Sequence, residues 1–210
     1  MNQLATALLE IEAVTLSPSQ PYTWASGLRS PIYCDNRLTL SSPDVRSMIA
    51  DLLAQQVKSL QVDVIAGTAT AGIPHAALVA DRLNLPMVYV RGSAKQHGKG
   101  NQIEGRIKPG QRVVVIEDLL STGKSSIEAA EALRQAGAEV VQIQAIFSYG
   151  MNRLQANLTA ANLKATSLLN FSELLETAVS TSAISRDEQT QLLAWSIDPV
   201  AWSDRFTATI

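Results

Sequence analysis

"VVVIEDLLSTGKSS", residues 113–126, decides how this chain folds and where its chemistry sits. Val113 to Ile116 are all apolar and β-branched, with none of the alternation of a half-exposed strand. Such a run predicts a strand buried on both faces. It stops at two carboxylates, Glu117 and Asp118, and a turn of Ser121, Thr122, Gly123, Lys124 and Ser125 leads into a helical pattern. The Gly-Lys-Ser inside it suggests a P-loop, which also needs a glycine five positions before the Gly-Lys pair. Asp118 stands there, and its carboxylate would repel a triphosphate. The turn can still hold one phosphate through backbone N–H groups, hydroxyls and a helix N-terminus. Glu117 and Asp118 are acceptors only. Acceptors beside a phosphate cradle suit the hydroxyls of a phosphorylated sugar, while the bland alternative is a strand end with solvated acids and an ordinary helix cap.

Working outward, the runs "VDVIAG", "PMVYVR", "VVQIQAIF" and "ATSLLN" predict four more strands. "IPHAALVADRLN" and "SSIEAAEALRQAGA" predict helices between them, the second ended by Gly137. Nearly all-apolar strands alternating with helices imply an α/β fold with a parallel sheet flanked by helices. Ligands of such sheets bind at the carboxyl ends of the strands, where the acid pair and its turn lie. Leu4, Leu8 and Ile11 mark a first helix. Pro43 opens a second, with Val45, Met48, Ile49, Leu52, Leu53 and Val57 on one face. Between them, "YTWASGLRSPIYCDNRLTL" reads as short strands and turns. In the tail, Ser172-Glu173-Leu174-Leu175 and Ser185-Arg186-Asp187-Glu188 each begin a helix, the second with capping-box spacing. "GSAKQHGKGNQIEGRIKPGQ" holds five glycines and several cations, which suits a functional loop as well as a merely flexible one.

The 210 residues are 46% hydrophobic and 17% charged, with a net charge of −2. That composition suits a folded globular protein, with no overall attraction for nucleic acid or an acidic membrane surface. The single Cys34 excludes an intrachain disulfide and fits a reduced, cytoplasmic setting. The first residues lack the basic and apolar regions of a signal peptide, and no apolar run is long enough to cross a bilayer. The sequon at Asn157 is expected on a polar turn or a helix surface.

Residues 113–126 resemble the phosphoribosyl-pyrophosphate motif of the type I phosphoribosyltransferases. "WASGLRSPIYCDNRLTLS", "GTATAGIPHAA", "YVRGSAKQHGKGNQIEG" and "IEDLLSTGKSS", in that order, narrow the resemblance to the orotate phosphoribosyltransferase family, from about Tyr22 to Tyr149. The resemblance implies a type I phosphoribosyltransferase-like fold with a hood of residues 1–58, alone or with part of the tail. A core of residues 59–170 and a helical tail of residues 171–210 complete it. It further implies transfer of ribose 5-phosphate from phosphoribosyl pyrophosphate to N1 of orotate, a step of pyrimidine biosynthesis. The Mg²⁺ this requires would be held mainly through the substrate, with no protein metal site. A homodimer with shared active sites is implied, with neither nucleic acid nor membrane as partner.

Residue by residue, the resemblance gives Glu117 and Asp118 to the ribose hydroxyls. Leu119, Leu120, Ser121, Thr122, Gly123, Lys124 and Ser125 go to the phosphate turn, with Ser121 also near orotate. Arg91, Lys95 and His97 match cations of a mobile loop closing over pyrophosphate, and Lys95, His97 and Asp118 are the expected catalytic groups. Thr68 and Ala69, in the run Gly67 to Gly72, match the pyrophosphate loop. Ser26 begins the segment to Arg37 that covers the base. The chain departs from many relatives in lacking lysines at Ala25, Ala71 and Gly92 or Ser93. Tyr149-Gly150 stands where some relatives place an arginine for the orotate carboxylate, with Arg153 a loose substitute. His75 reads as a surface or packed helix residue and Cys34 as structural, and Trp195 and Trp202 read as packing the tail or an interface. A sugar-phosphate-binding regulator of RNA would need a basic face or a damaged acid pair. A purine-specific transferase would lack the Ser26-to-Arg37 block.

Overall fold

The computed structural model describes residues 2–24, 26–92 and 102–207. The chain opens with helix α1 (Gln3–Glu10), capped by the Asn2 side chain. Two small antiparallel pairs follow, β1 (Val14–Leu16) with β4 (Ile32–Cys34) and β2 (Tyr22–Thr23) with β3 (Arg29–Ser30). A 3-10 turn over Asn36–Ser41 then leads into α2 (Pro43–Lys58), where Pro43 takes the first helical turn, as expected for a residue without an N–H.

The five expected strands are all present and run parallel. They are β5 (Val64–Thr68), β6 (Met87–Val90), β8 (Arg112–Leu120), β9 (Glu139–Ser148) and β10 (Ala165–Asn170). A sixth, β7 (Ile103–Glu104), pairs antiparallel with β6 inside the stretch read from sequence as loop. Two residues are too few to show a period. The sheet order is β10-β9-β8-β5-β6-β7. From β5 the chain passes through α3 (Gly72–Leu83) to β6 on one side, and β8 lies on the other. The strand order therefore reverses at the β5–β8 pair, and a crevice is expected outside their carboxyl ends.

The apolar strands divide their side chains between two cores because successive residues point to opposite faces. Ile65, Val114, Ile116 and Ile146 pack with α1, α2 and α3. Val64, Ala66, Val113 and Val115 pack with α4 (Lys124–Gln135) and α5 (Asn152–Ala160). Each of the Val and Ile side chains among these contributes roughly 1.5–3 kcal/mol by leaving water. Gly137, at φ +89°, ends α4: its N–H donates to Arg134 O and the N–H of Ala138 to Leu133 O. The sequon's Asn157 lies on α5, half-buried.

In the tail, α6 (Phe171–Ser180) starts one residue earlier than Ser172 suggested. Asn170 is its cap, in a reciprocal box with Glu173, because β10 runs into the helix without a loop. Helix α7 (Arg186–Ile197) has the expected Ser185–Glu188 box. Helix α6 packs on α1, and α8 (Pro199–Thr207) packs on β3. Ser203 Oγ accepts a 2.9 Å hydrogen bond from the Arg29 N–H. Fully buried Trp195 meets Trp24, Tyr149 and Phe171 at centroid distances of 5.7, 5.4 and 5.6 Å, all near edge-on. The tail is thereby locked against both the first forty residues and the end of β9.

Candidate active site

Strand β8 carries the acid pair to the crevice. Its ladder with β5 ends at Ile116, but its ladder with β9 continues to Leu120. Residues 117–120 thus project beyond β5, and Gly72 at the start of α3 closes against them. A Cβ at Gly72 would lie 2.5 Å from Ile116 O, so only glycine permits this approach. Gly67 is constrained in the same way by Ile73 and Ala76. The loop from Gly67 to Gly72 is therefore held beside the acids, and it contains a cis Ala69–Thr70 peptide. Thr68 ends β5, its Oγ1 buried without a hydrogen-bond partner among the described residues.

The two acids differ. Glu117 is only 4% exposed, while Asp118 is half-exposed. Burial pushes the Glu117 carboxyl up to about 8, and the Asp118 charge and a hydrogen bond with Asp118 add to the shift. Ser125 Oγ donates to Glu117 Oε2 at 2.8 Å and the Asp118 N–H to Oε1 at 3.1 Å, which opposes it.

The turn after β8 leads straight into α4. Gly123 has φ +75° and caps α4 in the left-handed region, and a Cβ there would lie 2.7 Å from Leu154 Cδ1. Ser126 Oγ donates to Gly123 O, and Asn157 Nδ2 on α5 donates to Thr122 O at 2.8 Å. The Thr122 and Gly123 carbonyls are thus taken up by the protein, while the first N–H groups of α4 have no partner within the helix itself. Lys124 is exposed, with Glu128 one turn on at 3.9 Å. Thr122, Lys124 and Arg153 share a cleft of about 440 Å³ between α4 and α5. Arg153 therefore lies beside the phosphate turn on α5, outside the base-covering segment.

Arg91 ends β6 at the same sheet edge, paired with Glu104 of β7 at 3.4 Å. Lys95 and His97, like Ala25 and Ser93, lie outside the described residues. Ser26 is at the exposed tip between β2 and β3. Arg37 forms a bidentate pair with Asp35 that holds the Asp35 carboxyl below its usual range. Burial pushes the Cys34 thiol well up, with Asp118 and Asp35 adding to it, which makes Cys34 a structural residue. His75 is fully buried, and burial lowers it to about 4. The packed alternative for His75 holds.

Two contacts at the site carried no sequence signal. Asn36, 1% exposed, donates from Nδ2 to Asp118 O at 2.7 Å. Asn157 braces the phosphate turn from a helix whose pattern was not recognised. Both act across more than thirty residues, and only the fold brings them in.

The chain presents a parallel sheet with an acid pair and a glycine- and hydroxyl-bearing turn at its switch point, and the phosphoribosyl transferase domain family matches residues 40–160. The orotate phosphoribosyltransferase of Listeria innocua is 56% identical over 203 residues, covering 96% of this chain and 97% of the relative. The orotate phosphoribosyltransferase structure of Aeropyrum pernix aligns with a TM-score of 0.74 at 32% identity, over 83% of this chain and 97% of that one. The UMP synthase of Leishmania donovani aligns at 0.79 and 32%, over 92% of this chain, which spans 41% of that longer protein. The chain belongs to the orotate phosphoribosyltransferase family.

Proposed function

We infer that this chain is a pentosyltransferase that converts orotate and 5-phosphoribosyl 1-pyrophosphate into orotidine 5′-monophosphate and pyrophosphate, a step of pyrimidine nucleotide biosynthesis. What carries the reading is the run Glu117 to Ser125 at the β5–β8 switch point, joined to 56% identity with an orotate phosphoribosyltransferase over nearly the whole chain.

In this proposal the turn Ser121–Ser125 takes the 5-phosphate, and Glu117 and Asp118 accept from the ribose hydroxyls. The C1–oxygen bond breaks as pyrophosphate leaves, positive charge develops on the ribose ring, and N1 of the orotate anion forms the new bond. Carboxylates fixed beside that ring stabilise the charge most where it is greatest, in the transition state. The Gly67–Gly72 backbone faces the departing pyrophosphate, with Arg91, Lys95 and His97 as its cations. Residues 26–37 cover the base.

Hard oxygen donors are what Mg²⁺ takes, and it keeps its waters and substrate phosphates as further ligands. In this proposal Mg²⁺ arrives with the substrate and is held mainly through it, with no protein metal site. When bound, that ion neutralises charge on the leaving pyrophosphate. A cytoplasmic homodimer with shared sites completes the proposal. It rests on the sequence resemblance and the lone Cys34.

The test is a spectrophotometric assay with orotate, phosphoribosyl pyrophosphate and Mg²⁺, repeated with adenine, guanine and hypoxanthine. Loss of orotate absorbance with no purine reaction is expected. A preference for a purine, or no turnover with any base, would overturn the reading.

A further inference from the structure

A chain of buried polar groups runs behind the acid pair. Asn36 Nδ2 donates to Asp118 O at 2.7 Å. Thr39 Oγ1 donates to Asn36 O at 2.6 Å, within the same 3-10 turn. His75 Nε2 lies 3.5 Å from Thr39 Oγ1. Thr39 has one proton and gives it to Asn36, so it meets His75 as an acceptor and Nε2 carries the ring hydrogen. All three side chains are at most 1% exposed. The chain links the base-covering segment, the first turn of α3 behind the Gly67–Gly72 loop, and the strand end that carries both acids.

Its place explains its need. Beyond Ile116, β8 has no partner on the β5 side, and a buried carbonyl there requires a donor. Asn36 supplies it to Asp118. The arrangement also leaves Asn36 Oδ1 and His75 Nδ1 buried without hydrogen-bond partners among the described residues. Buried orphan acceptors oppose folding.

We propose that Asn36, held by Thr39 and His75, is a positioning residue that fixes the Asp118 backbone and through it the spacing of the two carboxylates. It does not touch substrate. It joins the base-covering segment to the strand end that carries the acid pair. This rests on the reading of Glu117 and Asp118 as the sugar site.

Two variants separate positioning from mere packing. Asn36→Leu keeps the volume and removes the donor. It should lower kcat at least tenfold while KM for orotate changes less than threefold. Asn36→Asp can donate only when its carboxyl is protonated. That carboxyl would lie among Asp35, Arg37, Cys34, Asp118 and, through Asp118, Glu117, with His75 beyond Thr39 on the α3 side. Its activity relative to wild type should therefore rise as pH falls from 8 to 5. A pH-independent ratio, or wild-type kcat in Asn36→Leu, would overturn the proposal.

A third readout needs no turnover. The carboxyl carbon of Glu117, followed by NMR titration, should shift its apparent midpoint by about half a unit or more in Asn36→Leu. An unchanged midpoint overturns the positioning role even if wild type proves inactive on orotate, which would count against the proposed function instead.

Discussion

Glu117 offers a quantitative test because its environment opposes its charge. Its ordinary pKa of 4.5 is pushed up to about 8, by burial first and then by Asp118. Between those values the folded chain keeps a proton that the unfolded chain has released. The native state then binds more protons, so this group's contribution to stability falls as pH rises and is fully lost above pH 8. At about 1.4 kcal/mol per unit, a shift of about 3.5 units sets a ceiling of about 5 kcal/mol. Water penetration and relaxation around the carboxyl lower that ceiling, and about 2 kcal/mol is expected. Glu117→Gln keeps an acceptor for Ser125 and removes the charge. In a chain of this size it should raise Tm by about 4–8 °C at pH 9, with little gain at pH 5. Thermal melts of both proteins across that range give the answer. His75, lowered to about 4, acts in the opposite sense, adding stability as pH rises from about 4 to 6.5. It is common to both proteins and cancels in the difference. A Tm difference independent of pH would refute the reasoning. The same variant should lose turnover, since the charge that costs stability is the one the ribose ring needs.

Asp118→Asn should lower kcat/KM for phosphoribosyl pyrophosphate by about 10²–10³-fold with an unchanged circular dichroism spectrum, and wild-type kinetics would remove Asp118 from the site. Gly72→Ala places a methyl 2.5 Å from Ile116 O and should cost about 1–3 kcal/mol, read as a lower urea midpoint; an unchanged midpoint would show that α3 can move aside. Lys95→Ala should lower kcat at least tenfold without altering the urea midpoint, and full turnover would detach Lys95 from the chemistry. Native Cys34 should react with Ellman's reagent at pH 8 at least tenfold more slowly than in the urea-unfolded chain, and equal rates would contradict its burial.

The sheet was legible because its strands are apolar on both faces. Val64–Thr68 and Val113–Ile116 carry no competing helical period, and Gly137 and Pro43 punctuate the helices beside them. β7 escaped notice because two residues hold no pattern. Helix α5 did too, since in "NRLQANLTA" only Leu154 and Leu158 are buried, four residues apart. The Asn170 cap was missed because a strand residue does double duty there. At the site, the acid pair and phosphate turn are contiguous and so were readable. Asn36, Thr39 and His75 were not, because a single polar residue in a turn gives no hint of a partner 82 positions away. From its place in a helix His75 reads equally as surface or packed, and both its burial and its contact with Thr39 depend on how α3 meets the 3-10 turn.

The most direct measurement is a crystal structure with orotidine 5′-monophosphate bound. The account predicts its phosphate against the backbone N–H groups of residues 121–125 and its ribose hydroxyls on Glu117 and Asp118. A phosphate seated elsewhere, or ribose hydroxyls out of reach of both carboxylates, would contradict it.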